Sequence, residues 1–459
     1  MSRLSSDSPG QCLTHTLSRP FDFRALHKSN PDRYPFLLQS TATGTALGQY
    51  DILFAFPGDA LTLSNLHDLS GPGSEGQNDF LTALNNWWRQ QKCEDLGRTT
   101  ETPFHGGWFI YLGYELAGQV EPSLQLKPDE TLPTALAVRC PAAFVHDHES
   151  DQQFIVCEAG NENILHSMIN DALDLPESVD SKQTNKPLSA TEDEPGQYIS
   201  AVQQAKEYIA AGDIFQANLS RCWSASLIGD RSADDVYARL CKSNPAPFAG
   251  IVRWQNVAII SSSPERLVSV RDNEVSTRPI AGTRPRGNNE AADKALTQEL
   301  ITHPKERAEH VMLIDLERND LGRVCQAGTV EVNEHMVLES YAHVHHIVSN
   351  VRGILRKGLG PADVIRAVFP GGTITGCPKV RCMEIINELE QQPRGAYTGS
   401  FGYLNRDGSL DLNILIRTMV MTENKIEFKA GSGIVADSDP DAELAETRAK
   451  AKGLLMALA

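Results

Sequence analysis

The alternation of apolar and polar positions divides the chain into strand blocks and helix blocks. Residues 250–254 and 257–263 flank Gln255-Asn256, and residues 265–270 and 274–280 flank Arg271-Asp272-Asn273. A third pair, 398–405 and 409–420, flanks Arg406-Asp407-Gly408 and continues through Glu423-Asn424-Lys425 into IEFKAGSGIV. Short polar turns between apolar runs predict antiparallel hairpins. Helical spacing marks QYISAVQQAKEYIAAGD, where Ile199, Val202, Ala205, Tyr208 and Ile209 recur ahead of Gly212. It predicts further helices over 290–318, 361–368, 378–390 and 440–457. Toward the N-terminus, YPFLLQS (34–40), GQYDILFAFPG (48–58), GGWFIYLGYELAG (106–118) and ALAVRCPAAFVHDH (135–148) are strand or strand–helix pieces. Strand blocks separated by helix blocks predict an α+β fold with antiparallel sheets, and two sheets packed face to face with helices outside would bury one large core. The polar, proline-containing run 176–196 predicts a linker between an N-terminal region, 1–175, and a C-terminal region, 197–459.

Composition narrows the function classes. The formal net charge of −17 disfavours nucleic acid and anionic membranes as partners. It leaves room for a small anionic substrate, because a metal ion or one arginine reverses the field within a pocket. Nine cysteines are scattered with no C-x-x-C pair, which argues against a disulfide framework or zinc site and for a reducing compartment. With no apolar run of membrane-spanning length and no signal-peptide core in MSRLSSDSPGQ, the expectation is a soluble cytoplasmic protein.

The candidate chemistry begins with two acidic pairs. Glu306 and Glu309 lie three apart in PKERAEHVMLIDLERNDLGR, and Glu443 and Glu446 repeat the spacing in DPDAELAETRAKAKG. On a helix each pair projects two carboxylates from one face, and four converging carboxylates suit a hard divalent cation such as Mg2+. One such pair alone is ordinarily a solvated helix face. In TRPIAGTRPRG (277–287) the backbone is expected to turn at Gly282, offering amides and the Thr283 hydroxyl to an anion. FPGGTITGCPK (369–379) gathers Thr373, Thr375 and Lys379 at a helix N-terminus but is no Walker loop. Glu265 in SSSPERL, His346 in HVHH, Tyr397 in AYTGSFGY and the Gly431-Ser432-Gly433 loop complete the set. Arg417 lies among Leu415, Ile416, Met419 and Val420, where a charge requires an anionic partner.

In this order the motifs resemble the chorismate-utilising enzymes: the large subunits of anthranilate synthase and aminodeoxychorismate synthase, isochorismate synthases and salicylate synthases. The match runs over 197–455, through GDIFQANLS, SSSPERL, RPIAGTRPRG, KERAEHVMLIDLERNDLGRV, HVHHIVS, FPGGTITGCPK, IRT and AGSGIVADSDPDAE. N-terminal LLQS and YLGYELA are similar to the aminating members. The resemblance implies a fold of two large antiparallel sheets with helices outside. It implies Mg2+ as cofactor, held by Glu309 and Glu446 with Glu306 and Glu443 beside them, binding the ring carboxylate of chorismate. Gly282 and Thr283 would line the substrate. Tyr397, Arg417 and the amides of Ser432 and Gly433 would hold the enolpyruvyl carboxylate, with Lys450 a further contact. Glu265 would serve the departing 4-hydroxyl, and His346 would stand near the ring.

Gln216 occupies the position where the water-using members have a lysine base, and an amide takes no proton at neutral pH. The resemblance therefore implies amination, with ammonia supplied by a separate glutaminase subunit, since nothing here is similar to a Cys-His-Glu amidotransferase. Asn218, LLQS and GQYDIL favour 4-amino-4-deoxychorismate as product, toward p-aminobenzoate and folate. Ala281 stands where that subgroup has a lysine that attacks C2, and PIAGT is similar to the anthranilate synthases, which is the alternative. A weakly active scaffold for a glutaminase is a second alternative, against which the retained charged residues argue. The family also implies a tryptophan pocket, inhibitory or structural, near Ser40, Pro247 and Phe248.

Overall fold

The computed structural model describes residues 12–42, 47–93, 102–175, 190–227, 231–340 and 344–459, without the side chains of Thr283, Pro285, Lys305 and Val344. Among the described residues two large sheets carry the fold, one of 12 strands and one of 11, and every strand pairing is antiparallel.

The sheets face one another across an aromatic-rich layer. Phe36, Ile52, Phe54, Val252 and Ile259 of the first pack against Phe109, Tyr111, Leu136, Val138 and Phe401 of the second. The Phe36 and Phe109 rings stack with centroids 4.1 Å apart. Helices cover both outer faces. Those at Phe23–Ser29, Glu162–Leu173, Ala233–Ser243 and Pro440–Leu458 pack on the 12-stranded sheet. Those at Phe80–Gln91, Pro304–Gly322 and Pro361–Val368 pack on the 11-stranded sheet. The expected α+β architecture is the observed one.

The N- and C-terminal regions share both sheets. Phe36–Gln39 pairs with Phe248–Trp254, and Gly107–Leu112 pairs with Ser400–Asn405. Of the linker segment 176–196, residues 176–189 lie outside the described residues, Ala190–Glu192 is a strand, and Pro195 opens the helix Pro195–Ala210.

Three elements differ from expectation. The helix expected over 290–318 is two, Glu290–Thr302 and Pro304–Gly322, because His303 is extended ahead of Pro304. The expected strand 409–420 is Leu410–Asn413 in one sheet and Thr418–Thr422 in the other. The crossing between them is held by Ile414 N–H to the Glu265 carbonyl and Leu415 N–H to the Gly399 carbonyl, and Arg417 takes φ of 53°. Likewise Ala135–Cys140 and Ala142–Asp147 belong to different sheets, the chain changing over at Pro141, whose missing N–H suits a strand end.

A buried ion pair braces the segment 390–394 against two neighbouring elements. Arg394 donates to both Glu390 oxygens, at 2.7 and 2.9 Å, and to the carbonyls of Asn218 and Ile374. Glu390 also accepts from the Ser220 amide and hydroxyl. Replacing Glu390 by alanine strands a buried guanidinium, so E390A is expected to lose about 3–5 kcal/mol of stability in urea denaturation, with E390A/R394M recovering part of that loss.

Candidate active site

The strand Lys425–Ile434 carries Gly431 and Gly433 on the face turned toward Gln216 and Asn218 of its neighbour, Gln216–Ser226. A Cβ at Gly431 would lie 2.7 Å from Tyr397 Oη and 2.8 Å from Asn218 Oδ1. One at Gly433 would collide with Gln216 Nε2 and lie 3.6 Å from Glu309 Oε1. Glycine at both positions lets four polar side chains close on bare backbone. Ser432, of opposite alternation, shares a hydrogen bond between its hydroxyl and Tyr198 Oη at 2.7 Å. The expected loop 431–433 is therefore part of the strand Lys425–Ile434, paired with Gln216–Ser226.

The acidic pairs meet this strand from two helices. Gln216 Nε2 donates to Glu309 Oε1 at 2.9 Å. Lys450 Nζ bridges Glu446 Oε1, at 2.8 Å, and the Gly431 carbonyl, at 3.0 Å. Glu306 is held by Arg284 at 3.1 Å, and Glu443 turns inward to accept from Ser438 Oγ at 2.7 Å. Among the described residues no three of these carboxylates bring oxygens within 4.8 Å of one another. Glu309 and Glu446 are the two engaged around the glycine strand, while Glu306 and Glu443 are taken up by Arg284 and Ser438. Carboxylates in such a place fit Mg2+ by donor chemistry, since that ion is held through one or two carboxylates with substrate and water completing its shell.

The Arg417 guanidinium makes one hydrogen bond among the described residues, from Nη1 to the Lys450 carbonyl at 3.0 Å, and no ion pair. Burial pushes its pKa down, opposed by Tyr397 and Glu446. Burial raises the Tyr397 phenol to about 12, so it is a neutral donor. Arg417 and Tyr397 thus present positive and hydrogen-bonding groups that an anionic ligand would satisfy.

Gly282, with φ of 64°, marks a bulge within the strand Ile280–Pro285 rather than the expected turn at a strand end. The bulge brings its backbone beside His346, on the partner strand. Burial drives the His346 pKa down to about 4, so the ring is neutral at pH 7. The Thr283 backbone lies opposite His346; its side chain is outside the described residues. Glu265 is buried, with no hydrogen-bond partner for Oε1 among the described residues. Burial lifts its pKa to about 7, against easing by the Thr373 hydroxyl, the Ile280 amide and Lys450. A carboxyl so poised can donate a proton near neutral pH.

Motif reading missed a second buried acid. Glu317 lies one helix turn before Asp320, and burial together with Asp320 raises its pKa to about 8. Lys379, expected at an anion site, instead pairs with Asp320 and donates to the Val368 carbonyl at 3.2 Å. The signal available in ERNDLGR was a charge on the buried face of an apolar helix.

Elsewhere, Ser40 Oγ donates to the Pro247 carbonyl at 2.9 Å, on the wall of a cavity of about 1120 Å3 that Tyr50, Phe248, Arg266 and Phe401 also line. The structure brings Ser40, Pro247 and Phe248 together, apart from the glycine strand. All nine cysteines are free, and no described helix is long and apolar enough to cross a membrane.

A profile of the chorismate binding enzymes matches residues 53–456. The chain belongs to that family. An anthranilate synthase component I-like protein of Synechocystis is 47% identical over 78% of this chain and 73% of its own. Aminodeoxychorismate synthase component 1 of Bacillus subtilis is 41% identical, over 83% of each. Anthranilate synthase component 1 of Thermus thermophilus is 42% identical, over 78% of each. Among solved structures, anthranilate synthase component I of Streptococcus pneumoniae superposes with a TM-score of 0.79 at 32% identity, over 90% of this chain and 93% of its own. The glycine strand and its charged surround thus belong to a chorismate-utilising enzyme.

The pH dependence of stability tests the Glu265 environment. Its carboxyl stays protonated in the folded state up to about 7, whereas in the unfolded chain it ionises from the usual 4.5. The native state therefore holds the extra proton in that window, and this contribution weakens as pH rises. Relative to E265Q, the parent is expected to lose about 3 kcal/mol between pH 4.5 and 8 in denaturation curves at each pH.

Proposed function

We propose that this chain aminates chorismate with ammonia to 4-amino-4-deoxychorismate, releasing water. The observation that carries amination is Gln216, an amide that cannot serve as a base and whose nitrogen is committed to Glu309. Attack by water would require a base at this position; ammonia brings its own lone pair. Toward the 4-amino product, Asn218 presents Oδ1, buried and without a partner among the described residues, beside Gly431 and Tyr397.

The roles follow from charge and reach. Arg417, Tyr397 and the amides of Ser432 and Gly433 hold the enolpyruvyl carboxylate. Gly282 and Thr283 line the ring, beside a neutral His346. Glu309 and Glu446 would hold Mg2+, backed by Glu306 and Glu443, and that ion would supply positive charge against the ring carboxylate. Glu265 gives its proton to the 4-hydroxyl as the C–O bond breaks and the C–N bond forms. The ammonium so produced returns a proton to the carboxylate, leaving amine, water and the acid form. Lys450 fixes Glu446 against the strand. A separate glutaminase subunit is the proposed source of ammonia, and the cavity beside Ser40, Pro247 and Phe248 the proposed tryptophan pocket.

A second reading, anthranilate formation, is favoured by Ala281. Buried opposite Ile347, it offers no amine to attack C2, so a 4-amino product must arise here without that covalent step. Chorismate, Mg2+ and excess ammonium at alkaline pH separate the readings. The expected product is an amine that becomes p-aminobenzoate only when aminodeoxychorismate lyase is added. Fluorescent anthranilate without the lyase would establish the second reading, and absence of turnover would establish a scaffold. With either product, E265Q should reduce kcat by about 10²–10⁴. In the parent, kcat per free ammonia is expected to fall as Glu265 ionises above a pH of about 7.

A further inference from the structure

Three side chains that the proposed reaction does not use converge on the outer face of the 12-stranded sheet. Asp51 in Tyr50–Ala55 is the cross-strand partner of His146 in Ala142–Asp147. The pairing extends one step further, the His148 amide donating to the Gln49 carbonyl at 2.8 Å. Alternation places all three on one face. Leu53, Ala55, Ala142 and Phe144, which share their phase, pack in the helix-covered core, whereas Ile52, Phe54, Ala143 and Val145 pack between the sheets. The potential ligand atoms of Asp51, His146 and His148 all lie within 4.8 Å of one another.

The floor of this cluster is fixed and its mouth is open. Asp51 is buried and accepts from the Ser40 amide at 2.8 Å and from Gln39 Nε2 at 3.0 Å, as carboxylates behind a metal site are commonly oriented. His148 Nε2 lies 2.9 Å from Asp51 Oδ1, and the two imidazoles lie with centroids 4.3 Å apart and planes tilted by 52°. Both rings keep a solvent-facing edge, and Asp151, 3.1 Å from His146 Nε2, is nearly fully exposed. Ligand positions beyond the three are therefore open to water.

We propose that Asp51, His146 and His148 bind one first-row transition-metal ion, Zn2+ by preference. Two imidazoles and a carboxylate form a nitrogen-rich set that suits Zn2+, whereas Mg2+ and Ca2+ require oxygen. The ion bridges two adjacent strands and, through Asp51, holds the Ser40 amide. Ser40 also bonds Pro247 on the cavity wall, so occupancy stiffens that wall.

The test uses the full chain with Mg2+ saturating and Co2+ as the spectroscopic probe. One Co2+ per chain is expected, with d–d absorption bands that Zn2+ abolishes. H146Q and H148Q should each weaken binding at least about tenfold, since even outer-shell changes cost 10- to 100-fold. Zn2+ should raise the thermal midpoint of the parent and not of these variants. E309Q/E446Q should retain the bands, which separates this site from the proposed Mg2+ site and from the fate of the amination reading. Absence of bands, or histidine variants that bind as the parent does, overturns the proposal and leaves Asp51–His148 as an ion pair only.

Discussion

The site depends on the buried contact between Arg394 and Glu390. Its guanidinium reaches the Asn218 and Ile374 carbonyls, while Glu390 takes the Ser220 amide and hydroxyl. One pair thus joins the strand bearing Gln216 and Asn218, the turn before Gly376 and the segment leading into Tyr397. Burial opposes both charges. Their mutual attraction and hydrogen bonds prevail: the Glu390 pKa falls below its ordinary value and that of Arg394 rises. A pair so enclosed is weak evidence of net stability but fixes three elements in one register.

Around this brace, the surface of the candidate site is backbone more than side chain. Glycine at 431 and 433 removes Cβ atoms that would meet Tyr397, Asn218, Gln216 and the region of Glu309. The chain crosses between sheets just before Thr418, leaving Arg417 in a left-handed conformation with one carbonyl contact. A guanidinium partly buried without a carboxylate is costly, and an anionic ligand offsets that cost. Glu265 carries the complementary tension, a carboxyl kept largely protonated by burial until neutral pH. The two groups have opposite electrostatic needs, one calling for an anion and the other holding a proton.

Much of this was legible in the chain. The pairs Glu306/Glu309 and Glu443/Glu446 lie on helices because Pro304 and Pro440 start uninterrupted runs, and Asp439 caps the second. Helical spacing places both members of a pair on one face, but it cannot say what each meets. Arg284 and Ser438 engage Glu306 and Glu443 because the strand before one helix and the turn before the other fold back on them. Similarly, 409–420 reads as one apolar run, and nothing local marks the change of sheet within it. That change requires Glu265 and Gly399 carbonyls from distant segments.

The sequence by itself determined most element types, the antiparallel hairpins, the family motifs and the residues that carry charge into apolar surroundings. These follow from periodicity, turn chemistry and side-chain type, all local properties of the chain. Tertiary structure alone decided which carboxylates face the glycine strand, that Lys379 serves Asp320, and that Asp51 meets His146 and His148. Such meetings depend on strand register and on the order of strands in each sheet, where partners far apart in the chain are set side by side.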